Sequence, residues 1–363
     1  MTIGIEAERA NNPQKTGVEH YAKQLLLHLA AEDSKNQYRL YLRTEPEDWL
    51  KELPANFHLK VLPFPIFWTQ LRLSLELLLH PVDVLLIPAS ALPLWHPRRS
   101  VVTIHDLAWK FFPETFTWFN RNFLEFSTRY AVRRAAAVIA VSESTRRDLI
   151  KFYGVRPEKI TVVHHGFDRP AADEYPAASR LRDLLPGHYV LFLSTLQPRK
   201  NLEGLVKAFA ELRAQQPEFA GYKLVVAGRP GWKARPILAL IERHRDFVVY
   251  LNYVPDTERF LLLKRAAALV VPSFYEGFGM PILEAFASGV PVAAANNSSL
   301  PEVAGEAAVY FDPQKTEEIK HSLKILLTDR ALAQDLAGKG ARRLQYFSWE
   351  KCARETLAVL NKA

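Results

Sequence analysis

The chain has 363 residues, of which 48% are hydrophobic and 24% charged, with a formal net charge of +8 and a single cysteine, Cys352. That length predicts two domains with cores of their own, and the composition excludes a disordered or fibrous chain. One cysteine excludes a disulfide framework and a multi-cysteine metal site, which fits a reducing cytoplasm. The opening Met1-Thr2-Ile3-Gly4-Ile5-Glu6 has no leader character, and no uncharged apolar run is long enough to span a bilayer. The basic surplus favours anionic partners. Nucleic acid is the weakest of these, for there is no zinc-finger spacing, RNA-recognition signature or dense basic run.

Residues 2–5 read as a strand, and 6–17 as a loop carrying the turn residues Asn11-Asn12-Pro13. Gly17 opens an amphipathic helix with Val18, Tyr21, Leu25, Leu26 and Leu29 on one face. Strand-like segments follow at 37–43, 57–64, 83–88 and 100–104 with helical stretches between, the rhythm of a parallel, doubly wound sheet. In 67–80, Phe67, Leu71, Leu75, Leu78 and Leu79 read as core, so a buried helix is expected there. Residues 117–134 mix Trp118, Phe119, Phe123, Phe126 and Tyr130 with Arg121, Arg129, Arg133 and Arg134. Two readings of that mixture stand: core aromatics with solvated arginines, or a helix lying on an anionic membrane surface. Thr103-Ile104-His105-Asp106-Leu107 ends a strand and puts His105 at the carboxyl edge, where α/β proteins bind ligands. A strand at 136–142, a helix at 143–153 capped by Ser142, and a strand at 160–167 close this half.

Residues 168–188 hold Pro170, Pro176 and Pro186 without periodicity and mark the domain boundary. The βα rhythm then restarts with strands at 189–194, 223–228 and 248–254. Between the first of these and a helix at 202–213 stands Thr195-Leu196-Gln197-Pro198-Arg199-Lys200-Asn201. Two cations at a helix start oppose the helix dipole, which makes sense if an anion is shared there. The segment 266–285 is the most informative. A buried strand runs to Val271, Pro272 and Ser273 end it, and Gly277 and Gly279 form a loop that backbone can share with a ligand. Pro281 opens a helix that Gly289 closes, so Glu276 lies at a strand's carboxyl end and Glu284 about one turn into the helix. Alone, such a loop is ordinary α/β punctuation, and two glutamates are usually a solvated face. Helices at 317–327 and 331–346 follow, and Ser348 caps a last one through Leu360.

The whole string EGFGMPILEAFASGVPVAAANNSSLPEVAGEAAVYFDP closely resembles the retaining GT-B glycosyltransferases of glycosyltransferase family 4, with their E-x7-E motif and ASGxPV-type strand. TLQPRKN, TIHDLAW and Ser142-Glu143-Ser144-Thr145-Arg146 resemble the same family. The resemblance implies an α/β GT-B fold of two facing Rossmann-like domains with a deep interdomain cleft. Residues 1–168 would be the acceptor-binding domain, 169–345 the nucleotide-sugar donor domain, and 346–363 a terminal helix returning to the first. It implies a hexosyltransferase that moves a sugar with retention from a nucleotide diphosphate sugar to a lipid-linked or oligosaccharide acceptor. GDP-mannose is the first donor reading, a UDP-sugar the second, and a non-catalytic sugar-nucleotide scaffold the rival.

As the resemblance implies, Arg199 and Lys200 grip the donor diphosphate, and Glu276 holds sugar hydroxyls beside the reacting carbon. Glu284 takes the ribose hydroxyls, and His105 faces the transferred sugar. Gly17, Val254, Gly277, Phe278, Gly279 and Met280 complete the donor contacts, Val254 in a loop that meets the base mostly through backbone. Two departures stand out: Thr16-Gly17 where the family pairs glycines, and Ser194 where it has glycine. His165-Gly166 replaces the family's Asn-Gly and is given no role. The chain contains no Asp-x-Asp pair, so no metal or other cofactor is expected. A cytoplasmic enzyme, peripheral on the inner face of the cytoplasmic membrane, completes the expectation.

Overall fold

A computed structural model describes residues 1–13, 15, 17–168, 185 and 187–363, without the side chains of 256 and 257. Thr16 and most of the boundary segment 168–188 lie outside the described residues. The chain divides into two compact units: Met1–Trp109 with Trp118–Gly166 and Phe347–Ala363, and Lys110–Thr117 with Phe167–Tyr346.

The first unit holds a seven-stranded sheet. Its strands are β1 (Thr2–Glu6), β2 (Gln37–Leu42), β3 (Phe57–Val61), β4 (Val84–Ile87), β5 (Ser100–Ile104), β6 (Ala137–Ala140) and β7 (Ile160–Val162), in the spatial order β3-β2-β1-β4-β5-β6-β7. Every pairing is parallel. Such strands are covered on both faces, which is why β4 is an unbroken apolar run and why β4 and β5 are buried throughout. The helix Gly17–Glu32 packs Tyr21, Leu25, Leu26 and Leu29 inward, as its periodicity predicts. The terminal helix Trp349–Lys362 belongs to this unit, and its contacts include the helix Gly17–Glu32.

Two expectations for this unit change. Residues 69–79 are helical, a π-turn (Thr69–Leu73) running into the α-helix Ser74–Leu79, but the side turned inward carries Leu73, Glu76 and Leu77. Leu71, Leu75, Leu78 and Leu79 are each about half exposed, and Phe67 is 60% exposed. An apolar stripe in sequence does not say which neighbour covers it, and here none of the described residues does. The second change concerns the helix Trp118–Arg134. Its buried residues are the small Ser127, Thr128, Ala131 and Val132, so Trp118, Phe119 and Phe126 are not core.

The second unit repeats the plan with six parallel strands. They are β8 (Tyr189–Leu193), β9 (Lys223–Ala227), β10 (Val248–Asn252), β11 (Ala268–Val271), β12 (Val292–Ala295) and β13 (Ala308–Phe311), ordered β10-β9-β8-β11-β12-β13. The chain steps outward from β8 in one direction, then returns to lay β11 on β8's other edge and continues the opposite way. At that reversal the connections leave the strand ends toward opposite faces of the sheet, which opens a crevice at the carboxyl edge. The two segments that leave there are 194–200, after β8, and 272–279, after β11.

Candidate active site

The crevice between β8 and β11 gathers the residues singled out in both segments. After β8 the chain passes through a short turn, Pro198–Lys200, to Asn201, which stands in the left-handed region at φ 54° and caps the helix Leu202–Gln215. Its Oδ1 accepts from the Gly204 backbone at 3.2 Å, and its Nδ2 donates to the Pro313 carbonyl at 2.8 Å. The cations therefore sit in the turn before the helix rather than within it. After β11 the loop is pinned from below. The Phe274 N–H donates to the Arg199 carbonyl at 2.9 Å, tying the two segments together. Ser299 Oγ donates to the carbonyls of Glu276 and Phe278 at 2.9 and 2.8 Å. Gly279 has φ 111°, a conformation that strongly favours glycine, and leads into the helix Met280–Ala287. Pro281 is the second residue of that helix, one later than its sequence suggests.

Within this frame Arg199, Lys200 and Glu276 form one cluster. Lys200 Nζ lies 2.5 Å from Glu276 Oε1, and Arg199 Nη1 lies 3.5 Å from Oε2 while donating to the Tyr275 carbonyl at 2.9 Å. Ser273 Oγ donates to the same carboxylate at 2.7 Å, and Gln197 Oε1 accepts from Arg199 Nε at 3.2 Å. Burial pushes the Glu276 carboxyl toward the neutral form, but Lys200, Arg199 and Ser273 outweigh it and hold its pKa below the usual value. Lys200 is itself buried, which a reading of the turn as solvated surface does not anticipate. The cluster is two cations on one carboxylate, a net positive charge held in a water-poor crevice.

Glu284 is buried one turn into its helix and meets Arg259 Nη2 at 3.4 Å; the same nitrogen lies 3.6 Å from Asp168 Oδ2. Arg259 is a partner that sequence reasoning missed, since nothing local links the helix Asp256–Arg265 to Glu284. Also missed is the segment 110–117, whose Phe111 stacks on Tyr275 with ring centroids 4.8 Å apart and whose Phe112 stacks on Phe274 at 5.7 Å. Both contacts brace the loop that carries Glu276. Val254 is buried just after β10, at the same carboxyl edge.

Gly17 and His105 belong to the first unit. Gly17 is the first residue of its helix. His105 follows β5, donates from Nε2 to the Pro88 carbonyl at 2.9 Å, and packs edge-on to Tyr21 at 4.9 Å. Burial lowers its pKa, so the ring is neutral at pH 7. His165, given no role from sequence, is buried between Tyr21 and Trp349 at 4.7 and 5.9 Å, and burial holds its pKa well below the ordinary value. At the corresponding reversal of this sheet, between β1 and β4, a cavity of about 420 Å³ is lined by Glu6, Arg9, Asn11, Glu19, Arg43 and Trp68 among others. Burial drives the Glu6 pKa up to about 7, with Arg9 opposing the shift.

A basic crevice that two loops build on a doubly wound sheet, with a carboxylate at its centre, suits a phosphorylated sugar donor, and comparison with known proteins decides the family. Residues 15–171 match Glycosyltransferase Family 4, and residues 185–343 match Glycosyl transferases group 1. The O-antigen chain mannosyltransferase B of Escherichia coli is 32% identical over 72% of this chain and 69% of its own length. The chain belongs to glycosyltransferase family 4. It is a glycosyltransferase, with the α/β fold of the GT-B enzymes. The MMP alpha-(1->4)-mannosyltransferase of Mycolicibacterium hassiacum is 30% identical over 74% of the chain and 64% of its own length. The chain spans only about a third of another relative, the E. coli serotype-specific mannosyltransferase WbdA, to which it is 29% identical over 74% of its residues. Among solved structures, sucrose-phosphate synthase from Thermosynechococcus elongatus superposes with a TM-score of 0.78 at 20% identity, covering 99% of this chain and 98% of the other. WaaG, a glycosyltransferase involved in lipopolysaccharide biosynthesis, gives 0.75 at 17% identity over all of both chains.

Proposed function

We propose that this glycosyltransferase moves mannose, with retention, from GDP-mannose to a lipid-linked or oligosaccharide acceptor in surface-polysaccharide assembly. The observation that carries the proposal is the Arg199–Lys200–Glu276 cluster at the β8/β11 reversal. When the bond between the sugar's C1 and the diphosphate oxygen breaks, negative charge grows on the diphosphate. A lysine ammonium has three donors and a guanidinium five, so Arg199 and Lys200 can serve phosphate oxygens and still hold Glu276 in place. Glu276, kept ionised, accepts from sugar hydroxyls and stabilises positive charge developing at C1. Glu284, oriented by Arg259, accepts from the ribose hydroxyls. Gly277, Phe278, Gly279 and Met280 bring backbone to the diphosphate at a helix start, where the dipole favours an anion. Gly17 and His105 take the roles toward the donor and the transferred sugar that the family resemblance implies. The acceptor sugar takes the Glu6–Trp68 cavity, whose near-neutral carboxyl and paired charges suit a polyhydroxylated, uncharged ligand.

The mannosyltransferase relatives favour mannose over glucose as the transferred sugar. A UDP-sugar donor is the second reading. Loss of catalysis in a scaffold is disfavoured because the cluster is complete.

No helix among the described residues is long and apolar enough to cross a membrane. We place the enzyme on the inner face of the cytoplasmic membrane, held by the helix Trp118–Arg134. Trp118, Phe119 and Phe126 are 74%, 62% and 61% exposed there beside four arginines. The test of the catalytic reading is hexose release from GDP-mannose and UDP-glucose in excess EDTA. GDP-mannose should be the better donor, and the rate should stand unchanged by chelator, because two side-chain cations take the place that a metal holds in Asp-x-Asp enzymes. Activity lost in EDTA and restored by magnesium or manganese would refute the leaving-group role of Arg199 and Lys200. Preference for UDP-glucose would overturn the donor alone.

A further inference from the structure

Among the described residues, fifteen large apolar side chains are exposed, and twelve of them fall within 66–79, 94–95 and 118–126 of the first unit. A patch of that extent on a soluble surface marks an interaction site. In the first segment Leu71, Leu75, Leu78 and Leu79 are 49–62% exposed and spaced as one helical stripe. The sole acid of 66–79, Glu76, is turned inward, where Arg72 and His80 pair with it at 3.3 and 3.0 Å and Lys60 bonds to it as well. The outward face thus carries leucine and no negative charge. The segment is also bent to that purpose. Phe67 stands in the left-handed region at φ 49°, and Leu73 N–H bonds to the Trp68 carbonyl five residues back at 3.0 Å, widening the turn.

The three segments form one surface. Trp95 N–H donates to Ser74 Oγ at 3.1 Å, Tyr130 Oη donates to the Leu94 carbonyl at 2.9 Å, and His96 packs edge-on to Tyr130 at 6.2 Å. The helix Trp118–Arg134 adds four arginines against one acid, Glu125, which Arg129 already pairs at 2.6 Å.

We infer that 69–79 is the inserting element of a two-part membrane-docking surface. It lays Leu71, Leu75, Leu78 and Leu79 into the headgroup–acyl boundary of an anionic bilayer while the arginines of Trp118–Arg134 stay among the headgroups. The inference rests on the membrane reading of that helix given above. Charge selects the occupant. A leucine stripe bordered by a helix with four arginines and one acid complements an anionic lipid surface and repels a second copy of itself. Two weak signals, shallow apolar insertion and electrostatic attraction, together give firm yet reversible attachment.

The test is co-sedimentation of the full chain with phosphatidylglycerol-containing and pure phosphatidylcholine vesicles at low and high salt. The wild type should bind the anionic vesicles and keep part of that binding at high salt. Replacing Leu71, Leu75, Leu78 and Leu79 by Gln, which preserves helix propensity, should lower partitioning roughly a hundredfold and abolish the salt-resistant part. Donor hydrolysis should be unchanged, since these side chains lie outside the catalytic crevice. Replacing Arg121, Arg133 and Arg134 by Gln should remove the salt-sensitive part, at about fivefold per arginine. A second readout uses otherwise native protein: brominated lipid should quench Trp95, seen as the difference between the wild type and Trp95→Phe. Wild type that ignores anionic vesicles overturns the membrane reading and this inference together. Wild type that binds, with an unaffected leucine variant and unquenched Trp95, overturns this inference alone. A wild-type dimer that the leucine variant dissolves, with vesicle binding unchanged between the two, also overturns this inference alone.

Discussion

Replacing Lys200 by Met should lower kcat by roughly two to three orders of magnitude, which corresponds to about 2.7–4 kcal/mol of lost transition-state stabilisation. The loss belongs in kcat because the charge that Lys200 meets grows as the sugar–phosphate bond breaks. The structure also dictates the control. Lys200 has a side chain only 10% exposed and sits 2.5 Å from Glu276, so its removal also strips a partner from a carboxylate that is 13% exposed. Arg199 and Ser273 still hold that carboxylate, and a lower melting temperature is nonetheless expected. Lys200→Met leaves Arg199 and Glu276 paired one to one, so the variant should stay folded, and a melting curve recorded beside kcat separates lost stability from lost turnover. A folded Lys200→Met enzyme within tenfold of wild-type kcat would remove Lys200 from the reaction.

Gly166→Ala should be the most damaging of the small substitutions to the first unit. A Cβ at Gly166 would lie 2.2 Å from the Trp349 backbone nitrogen and 2.6 Å from the Ser348 carbonyl carbon. Both atoms are main chain at the start of the terminal helix, where Ser348 Oγ caps the Lys351 N–H at 3.1 Å, so neither can step aside as a side chain could. The helix start must shift, which pulls Trp349 off the His165 ring that stacks on Tyr21. The cost should reach the upper end of overpacking, about 3 kcal/mol. That lowers the first unit's melting transition by roughly 6–12 °C. Gly221→Ala, with nothing within 4 Å of the new carbon, is the matched control and should melt like the wild type. A Gly166→Ala transition within 2 °C of wild type would show that the terminal helix is not locked there.

Much of this architecture was legible because βα alternation carries its own topology. The continuous apolar run at 266–271 read as a strand covered on both faces, and the alternation of strand-like and helical segments around it implied a parallel sheet. Ser142 and Ser348 were legible as caps from type and position, and each accepts the backbone N–H three residues on. The Glu276 and Arg199–Lys200 loops were legible because each lies directly after a strand, and parallel strands deliver all such loops to one edge. What stayed hidden depends on chain brought from far away. Arg259 reaches Glu284 only through the packing of their two helices. Gly166 needs its hydrogen because of a backbone near the other end of the chain. The stripe at 69–79 was misread for the same reason: periodicity shows that a face is apolar, and only the fold shows that the described residues leave its leucines about half exposed.

The central claim is that Arg199 and Lys200 recognise a diphosphate in the β8/β11 crevice. It is tested most directly by thermal shift of the wild type and Lys200→Met with GDP, GMP, UDP and UMP, since a ligand that binds only the folded state must raise its stability. The wild type should be stabilised most by GDP and clearly more by each diphosphate than by its monophosphate, and in Lys200→Met that difference should shrink or vanish. Equal shifts from diphosphate and monophosphate in the wild type, or a diphosphate preference untouched in the variant, would contradict the account.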